Sequence, residues 1–288
     1  MLEILKAFLY GLVEGITEWL PISSTGHLIL LESILPFSET GEGFFELFDV
    51  VIQLGAILAV VVLFFKKIWP FALTKAEREA EGREGFSSIF KKDIWILWGK
   101  ILIACIPAAV IGGLFDDVFD RLFYNPPCVA VALIVFGIAF ILVENRNKDR
   151  EPVINSVGEI TCHTALLIGI FQVLAAIFPG TSRSGATIVG ALLIGVSRTV
   201  AAEFTFYLAI PVMFGASLLK CLKFEGSLTG TETGILLTGT LVAFIVSLFA
   251  LRFLMGYVKR HDFKVFGWYR IALGIVVLLY FCLTVRGF

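Results

Sequence analysis

The stretch Gly11 to His27, GLVEGITEWLPISSTGH, limits what this chain can fold into, because it returns at Gly169 to Gly185 as GIFQVLAAIFPGTSRSG. Aligned without a gap, Gly11 falls on Gly169, Glu14 on Gln172, Pro21 on Pro179 and Ser24 on Ser182. Each copy is an apolar run that carries a polar residue, reaches a proline, turns through small hydroxyl residues and resumes as a second apolar run. A spanning helix needs about 20 mostly apolar residues, and neither arm of either copy supplies them cleanly. The pattern predicts two broken half-membrane hairpins, roughly 3–34 and 160–196, whose polar elbows meet and build one phosphate-handling site.

Lipid is the solvent this reading requires. The hydrophobic share of 58% and mean hydropathy of +0.92 exceed those of an ordinary soluble domain. A net charge of -1 and the lack of a basic cluster interleaved with aromatics exclude nucleic acid as a partner. Cys105, Cys128, Cys162, Cys221 and Cys282 stand singly in apolar context without CxxC spacing, so they read as packing residues. The first apolar run holds Glu14 and Glu18 and lacks a small-x-small cleavage site, so it reads as a retained segment.

Six further apolar windows, at 47–65, 94–115, 127–143, 202–219, 234–254 and 268–285, predict spanning helices. The order is hairpin and three spans, then hairpin and three spans. An odd number of spans per repeat inverts one repeat against the other, a plan used by transporters. The expected fold is therefore an all-α polytopic membrane protein, a single transmembrane domain over 1–288 with inverted repeats at approximately 1–150 and 151–288. Lys66, Lys67, Lys75, Arg78, Arg83, Lys91 and Lys92, then Arg146, Lys148 and Arg150, then Lys259, Arg260 and Lys264 mark three cytoplasmic regions. The opposite loops carry Glu39, Glu42 and Glu46, then Asp116, Asp117, Asp120 and Arg121, then Lys220, Lys223, Glu225 and Glu232, and are acidic or balanced. Both termini are then outside, the first hairpin enters from the outer face and the second from the cytoplasm. The mixed charges of the 66–93 loop read as a solvated connector.

The elbows carry the chemistry. Unpaired backbone groups in hydrocarbon cost several kcal/mol, so a non-helical elbow at depth must lie inside protein or line a wet cavity. After each proline the chain re-enters a helix, and a helix N-terminus offers free N–H groups and partial positive charge to an anion. Two such ends facing each other could hold a diphosphate. Ionisable residues at depth cost about 2.5–3.5 kcal/mol on insertion scales, which makes Glu14, Glu18, His27 and Arg183 site candidates. Glu14 and Glu18, one helical turn apart, could instead face water at a helix mouth; Arg183 could snorkel; His27 could be a satisfied packing residue. Ser23, Ser24, Thr25, Ser182 and Ser184 read as substrate contacts or as helix caps. Gln53 and Glu203, inside the spans that follow the hairpins, could orient a ligand group or simply bond helix to helix. His163 and His261 lack this context. Trp69, Trp95 and Trp268 read as interfacial residues.

The combination EGITEWLPISSTGHL, DVVIQLGAILAV, PGTSRSGATI and GVSRTVAAEFTFYLAIP resembles the BacA-type undecaprenyl-diphosphate phosphatases, and the likeness covers nearly the whole chain. It implies a bacterial inner-membrane enzyme that hydrolyses undecaprenyl diphosphate to the monophosphate and phosphate, recycles the cell-wall lipid carrier and confers bacitracin resistance. Carried over by position, the family's acidic pair falls on Glu14 and Glu18, its serine-rich elbow on Ser23 and Ser24, its histidine on His27 and its arginine on Arg183 beside Ser182. The other class of membrane lipid phosphatase places a histidine after its Ser-Arg at a position that here is Val189.

The mechanism expected from these groups has Arg183 clamping the diphosphate, with help from Ser182 and Thr25. His27 acts as general base on Ser24 or on water, and one of Glu14 and Glu18 orients or protonates. The same acidic pair could hold Mg2+ or Ca2+ together with the diphosphate, although the reading does not require a metal. The partners expected are a polyprenyl diphosphate and membrane lipid, with a homodimer left open, and access from the outer face. The alternative is a polyprenyl-phosphate transporter or flippase, which the architecture alone would favour.

Overall fold

The computed structural model describes every residue except 39, 42, 75–76, 79–87, 225 and 286–288, with side chains omitted at 116, 117, 120, 284 and 285. The expected loop charges Glu39, Glu42, Lys75, Arg83 and Glu225 therefore lie outside the described residues, as do the side chains of Asp116, Asp117 and Asp120. The protein is an all-α polytopic membrane protein. Its helices are α1 (Leu2–Thr17), α2 (Ser24–Ile34), α3 (Phe44–Leu63), α4 (Phe65–Ile68), α5 (Lys92–Phe123), α6 (Pro126–Asn147), α7 (Cys162–Ile177), α8 (Arg183–Ile194), α9 (Arg198–Lys223), α10 (Gly230–Tyr257) and α11 (Lys264–Val285).

Six of them are long and apolar enough to cross a membrane, over Phe44–Leu63, Lys92–Phe115, Pro126–Asn147, Arg198–Lys223, Gly230–Tyr257 and Lys264–Leu283. They match the six apolar windows. Their ends are set by local chemistry: Asn125 accepts from the Cys128 N–H ahead of Pro126 on α6, and Thr229 and Glu232 form a reciprocal capping box on α10. Trp69, Trp95 and Trp268 are exposed, in keeping with an interfacial position. All five cysteines are free.

The two broken segments do not pack mainly on their own halves. Helix α1 lies along α10, and α7 lies along α5. Both contacts rely on glycine, since a Cβ at Gly11 would sit 2.5 Å from the Gly239 carbonyl oxygen and one at Gly169 2.2 Å from that of Ala104. Helices α6 and α11 meet through another reciprocal pair, with a Cβ at Gly137 or at Gly267 lying 2.7 Å from the other's carbonyl oxygen. Such close approach lets backbones interlock where no water-driven force holds helices together. The largest buried cluster among the described residues runs from Trp19 through Phe204, Phe206 and Tyr207 to Phe263, and it takes in Trp19 and Ile22 of the first elbow.

Candidate active site

The first elbow begins where α1 stops at Thr17, passes through Pro21 and restarts at Ser24; the second runs from Ile177 through Pro179 to Arg183. Each restart uses the same device. Ser23 and Ser182 cap α2 and α8, accepting from the N–H groups of Gly26 and Gly185 at 3.3 and 3.2 Å. They are also the two non-glycine residues with positive φ among the described residues, at 72° and 68°. Such backbone conformations cost of order 1–3 kcal/mol each and persist only where the surroundings enforce them, often at functional sites.

This symmetry corrects the ungapped alignment. Ser182 corresponds to Ser23 and not to Ser24, because the second elbow has an extra residue between proline and cap, with Gly180 at φ 92° absorbing the turn. Ser24 and Arg183 are thus equivalent in position, each the first residue of its half-helix. Both converge on one carboxylate. Ser24 Oγ donates to Glu18 Oε2 at 2.7 Å, and Arg183 Nη2 donates to Glu18 Oε1 at 3.2 Å. Arg183 Nη1 also donates to the Thr205 carbonyl at 3.0 Å, while its Nε is buried with no partner. Ser184 Oγ reaches the Glu18 carbonyl at 3.3 Å and lies 3.0 Å from Ser182 Oγ. The N-termini of α2 and α8 therefore meet around Glu18.

Glu14, one turn before Glu18, is fully buried, and neither of its carboxylate oxygens has a partner. Gln172, aligned with it in the second copy, is buried and equally without partners. His27 is held at both ring nitrogens. Its Nδ1 lies 2.7 Å from the Ser23 carbonyl and its Nε2 2.7 Å from the Tyr269 hydroxyl, with the two rings stacked 5.6 Å apart. A carbonyl only accepts, so in the neutral ring Nδ1 carries the hydrogen and Nε2 accepts from Tyr269. Ser24, which with water was one of the two groups His27 was expected to activate, donates to Glu18.

The remaining expectations divide. Thr25 is half-buried in the first turn of α2. Gln53 is half-buried on α3, one turn after Asp49. The Glu203 carboxylate is engaged by the Tyr207 hydroxyl and, at 2.8 Å, by Lys67, a bond from helix to helix of the kind expected as its alternative. Among the described residues no group of three His, Cys, Asp or Glu is placed to hold a metal ion.

Three residues escaped the sequence reading. Asp49, on α3, has a buried oxygen without a partner. Tyr269 and Arg270, adjacent on α11, reach His27 and both elbows respectively. The signal for Arg270 was present, an arginine within the apolar window 268–285, where an ionisable residue is functional by default.

Two facing half-helices, sharing a carboxylate between a hydroxyl and a guanidinium, can bind and cleave a phosphoric anhydride. A family model described as bacitracin resistance protein BacA matches residues 7–276. The chain belongs to the BacA family. Among its relatives, the undecaprenyl-diphosphatase of Desulfitobacterium hafniense is 60% identical over 281 residues, covering 98% of this chain and 97% of that protein. Undecaprenyl-diphosphatase 1 of Clostridium acetobutylicum is 61% identical over 98% of this chain and 99% of its own length. The undecaprenyl-diphosphatase of Enterococcus faecalis is 55% identical over 96% and 97%. A BacA-family chain of such coverage carries both elbows whole.

Proposed function

We propose that this protein hydrolyses undecaprenyl diphosphate to undecaprenyl phosphate and phosphate, at the junction of the two elbows. The observation that carries the mechanism is the sharing of Glu18 by Ser24 and Arg183. Phosphoryl transfer is mostly positioning and neutralisation of charge on the phosphoryl oxygens. Arg183 supplies the clamp: its unpartnered Nε is a buried donor whose desolvation costs about 1–3 kcal/mol until an acceptor arrives. The N–H groups at the start of α2 and α8 add positive potential on either side.

Ser24 Oγ attacks the terminal phosphorus while its proton passes to Glu18 Oε2. The bond from that phosphorus to the bridging oxygen breaks, and undecaprenyl phosphate leaves with the electron pair. Water then releases phosphate from the serine and restores its proton. His27, fixed by the Ser23 carbonyl and Tyr269, lines the same elbow and offers Nε2 for proton exchange in the second step. Thr25, Ser182 and Ser184 contribute hydroxyls to the phosphate oxygens.

A hard divalent cation fits the donor set if it arrives with the diphosphate, since Glu14 offers two buried oxygens with no partner while both oxygens of Glu18 are engaged. Such an ion would neutralise charge on the substrate. The inverted repeat is supported by the reciprocal seating of α1 on α10 and α7 on α5, and entry of the first hairpin from outside by the loop charges. Placement in the bacterial inner membrane rests on the family likeness, and access from the outer face is favoured by the loop charges and by the chemistry carried on the first hairpin.

Purified protein in proteoliposomes tests the reading. Phosphate release from undecaprenyl diphosphate should collapse in Arg183→Ala while the protein stays folded. Retained turnover would remove the clamp. Scoring lipid movement separately distinguishes an enzyme from a flippase.

A further inference from the structure

Arg270 is fully buried in a membrane span, and among the described residues its hydrogen-bond partners are backbone carbonyls alone. Those carbonyls belong to both elbows. Nη1 donates to Pro21 O at 3.3 Å in the first, and Nη2 donates to Gly180 O at 2.9 Å and to Thr181 O in the second. Phe136, on α6, stacks against the guanidinium 5.7 Å from its ring centre. A cation buried this way costs several kcal/mol if its hydrogen bonds are poor, so a purely packing role would be better filled by an apolar side chain.

Gly185 supplies an independent observation. A Cβ there would lie 2.6 Å from Arg270 Nη1, so the first turn of α8 leaves an opening through which the guanidinium passes. That opening is two residues after Arg183. We propose that Arg270 is a positioning residue for the hydrolysis, a cross-brace that fixes the two elbows relative to each other and so sets the approach of Ser24 and Arg183 to Glu18. Lysine cannot replace it, because one ammonium on a flexible stem does not span carbonyls on two separate elbows in a fixed fork. Gly185 serves the same brace by leaving it room.

The inference rests on the elbow reading of function, and the test separates the two. Kinetics are measured on Arg270→Lys, Gly185→Ala and the double variant, alongside the yield of a short cross-link between cysteines placed at positions 24 and 183. Each single change should lower kcat by at least about tenfold, as a displacement near 1 Å can, with KM held within about threefold. The double variant should be no slower than the slower single variant, because both act through one brace. The cross-link yield should fall with kcat. A value of kcat for Arg270→Lys within about threefold of the parent, or effects that multiply in the double variant, overturns the inference. Should these variants fail to fold, Phe136→Leu is the milder probe: an unchanged unfolding temperature with kcat down about two- to fivefold supports the brace, and unchanged kcat refutes it. Loss of phosphate release in the parent would sink the functional reading alone, since an Arg270→Lys cross-link yield equal to the parent's is what sinks the brace.

Discussion

The two elbows share a backbone and differ in chemistry. Each ends a short helix before a proline, caps the next helix with a serine at positive φ, and presents that helix's N-terminus to the centre. The first elbow then places Glu18 and Ser24 there, an acceptor and a donor suited to proton transfer, with His27 held one turn on by the Ser23 carbonyl and Tyr269. The second places Arg183, whose charge suits phosphate. Equivalent positions hold Ser24 and Arg183, so one geometric solution has been used twice to aim two different groups at a single carboxylate. The difference teaches that the turn fixes the geometry, and that the function lives in side chains that differ between two turns of the same shape.

The largest effect expected from breaking this division is Arg183→Ala, which leaves the second elbow without its cation. Turnover should fall by about 10³-fold or more, the scale of an arginine acting on a phosphoryl transition state, as measured by phosphate release. Ser24→Ala and Glu18→Gln strike the first elbow. Each should cost about 10²–10⁴-fold in kcat, and near-normal hydrolysis by Ser24→Ala in labelled water would assign attack to water instead.

Glu14 and Gln172 sharpen the comparison, since both are buried without partners at aligned positions. Glu14→Gln should fold at least as stably as the parent while losing activity, because it removes an unpaired acid. Gln172→Glu puts a carboxyl where the parent side chain is buried without a hydrogen-bond partner, and should lower stability by about 1–3 kcal/mol in thermal unfolding. The smallest effects belong to the caps. Ser23→Gly and Ser182→Gly each lose a cap bond but relieve the left-handed backbone, and should stay within about 0.5 kcal/mol of the parent. The alanine variants keep the strain and lose the cap, so they should cost about 1 kcal/mol or more.

Much of this was legible in the sequence for a physical reason. Apolar length fixed the six spans, and the recurrence of proline followed by small hydroxyl residues marked both elbows. Glu18, Ser24 and Arg183 stood out because ionisable or polar groups at depth need a partner. Pairing was less accessible. Ser24 falls nine residues after Gly15 in one copy and Arg183 follows an extra turn residue in the other, so only the backbone torsions at Ser23, Gly180 and Ser182 reveal the true register. Glu203 looked available until Lys67, far away in sequence, closed on it. Tyr269 and Arg270 come from the last helix, and nothing local announces which elbow a residue so distant will reach.

The central claim is that the elbows meet at Glu18. A direct test is a cross-link between cysteines at 24 and 183 in a background with the five native cysteines replaced by alanine. A protease site placed between Arg146 and Asn155 separates the halves unless they are joined. A Phe140→Cys, Phe263→Cys pair, whose parent rings lie 5.8 Å apart across the same cut, serves as control. A short cross-linker should hold the halves together for both pairs. Joining in the control but not between positions 24 and 183 would contradict the account.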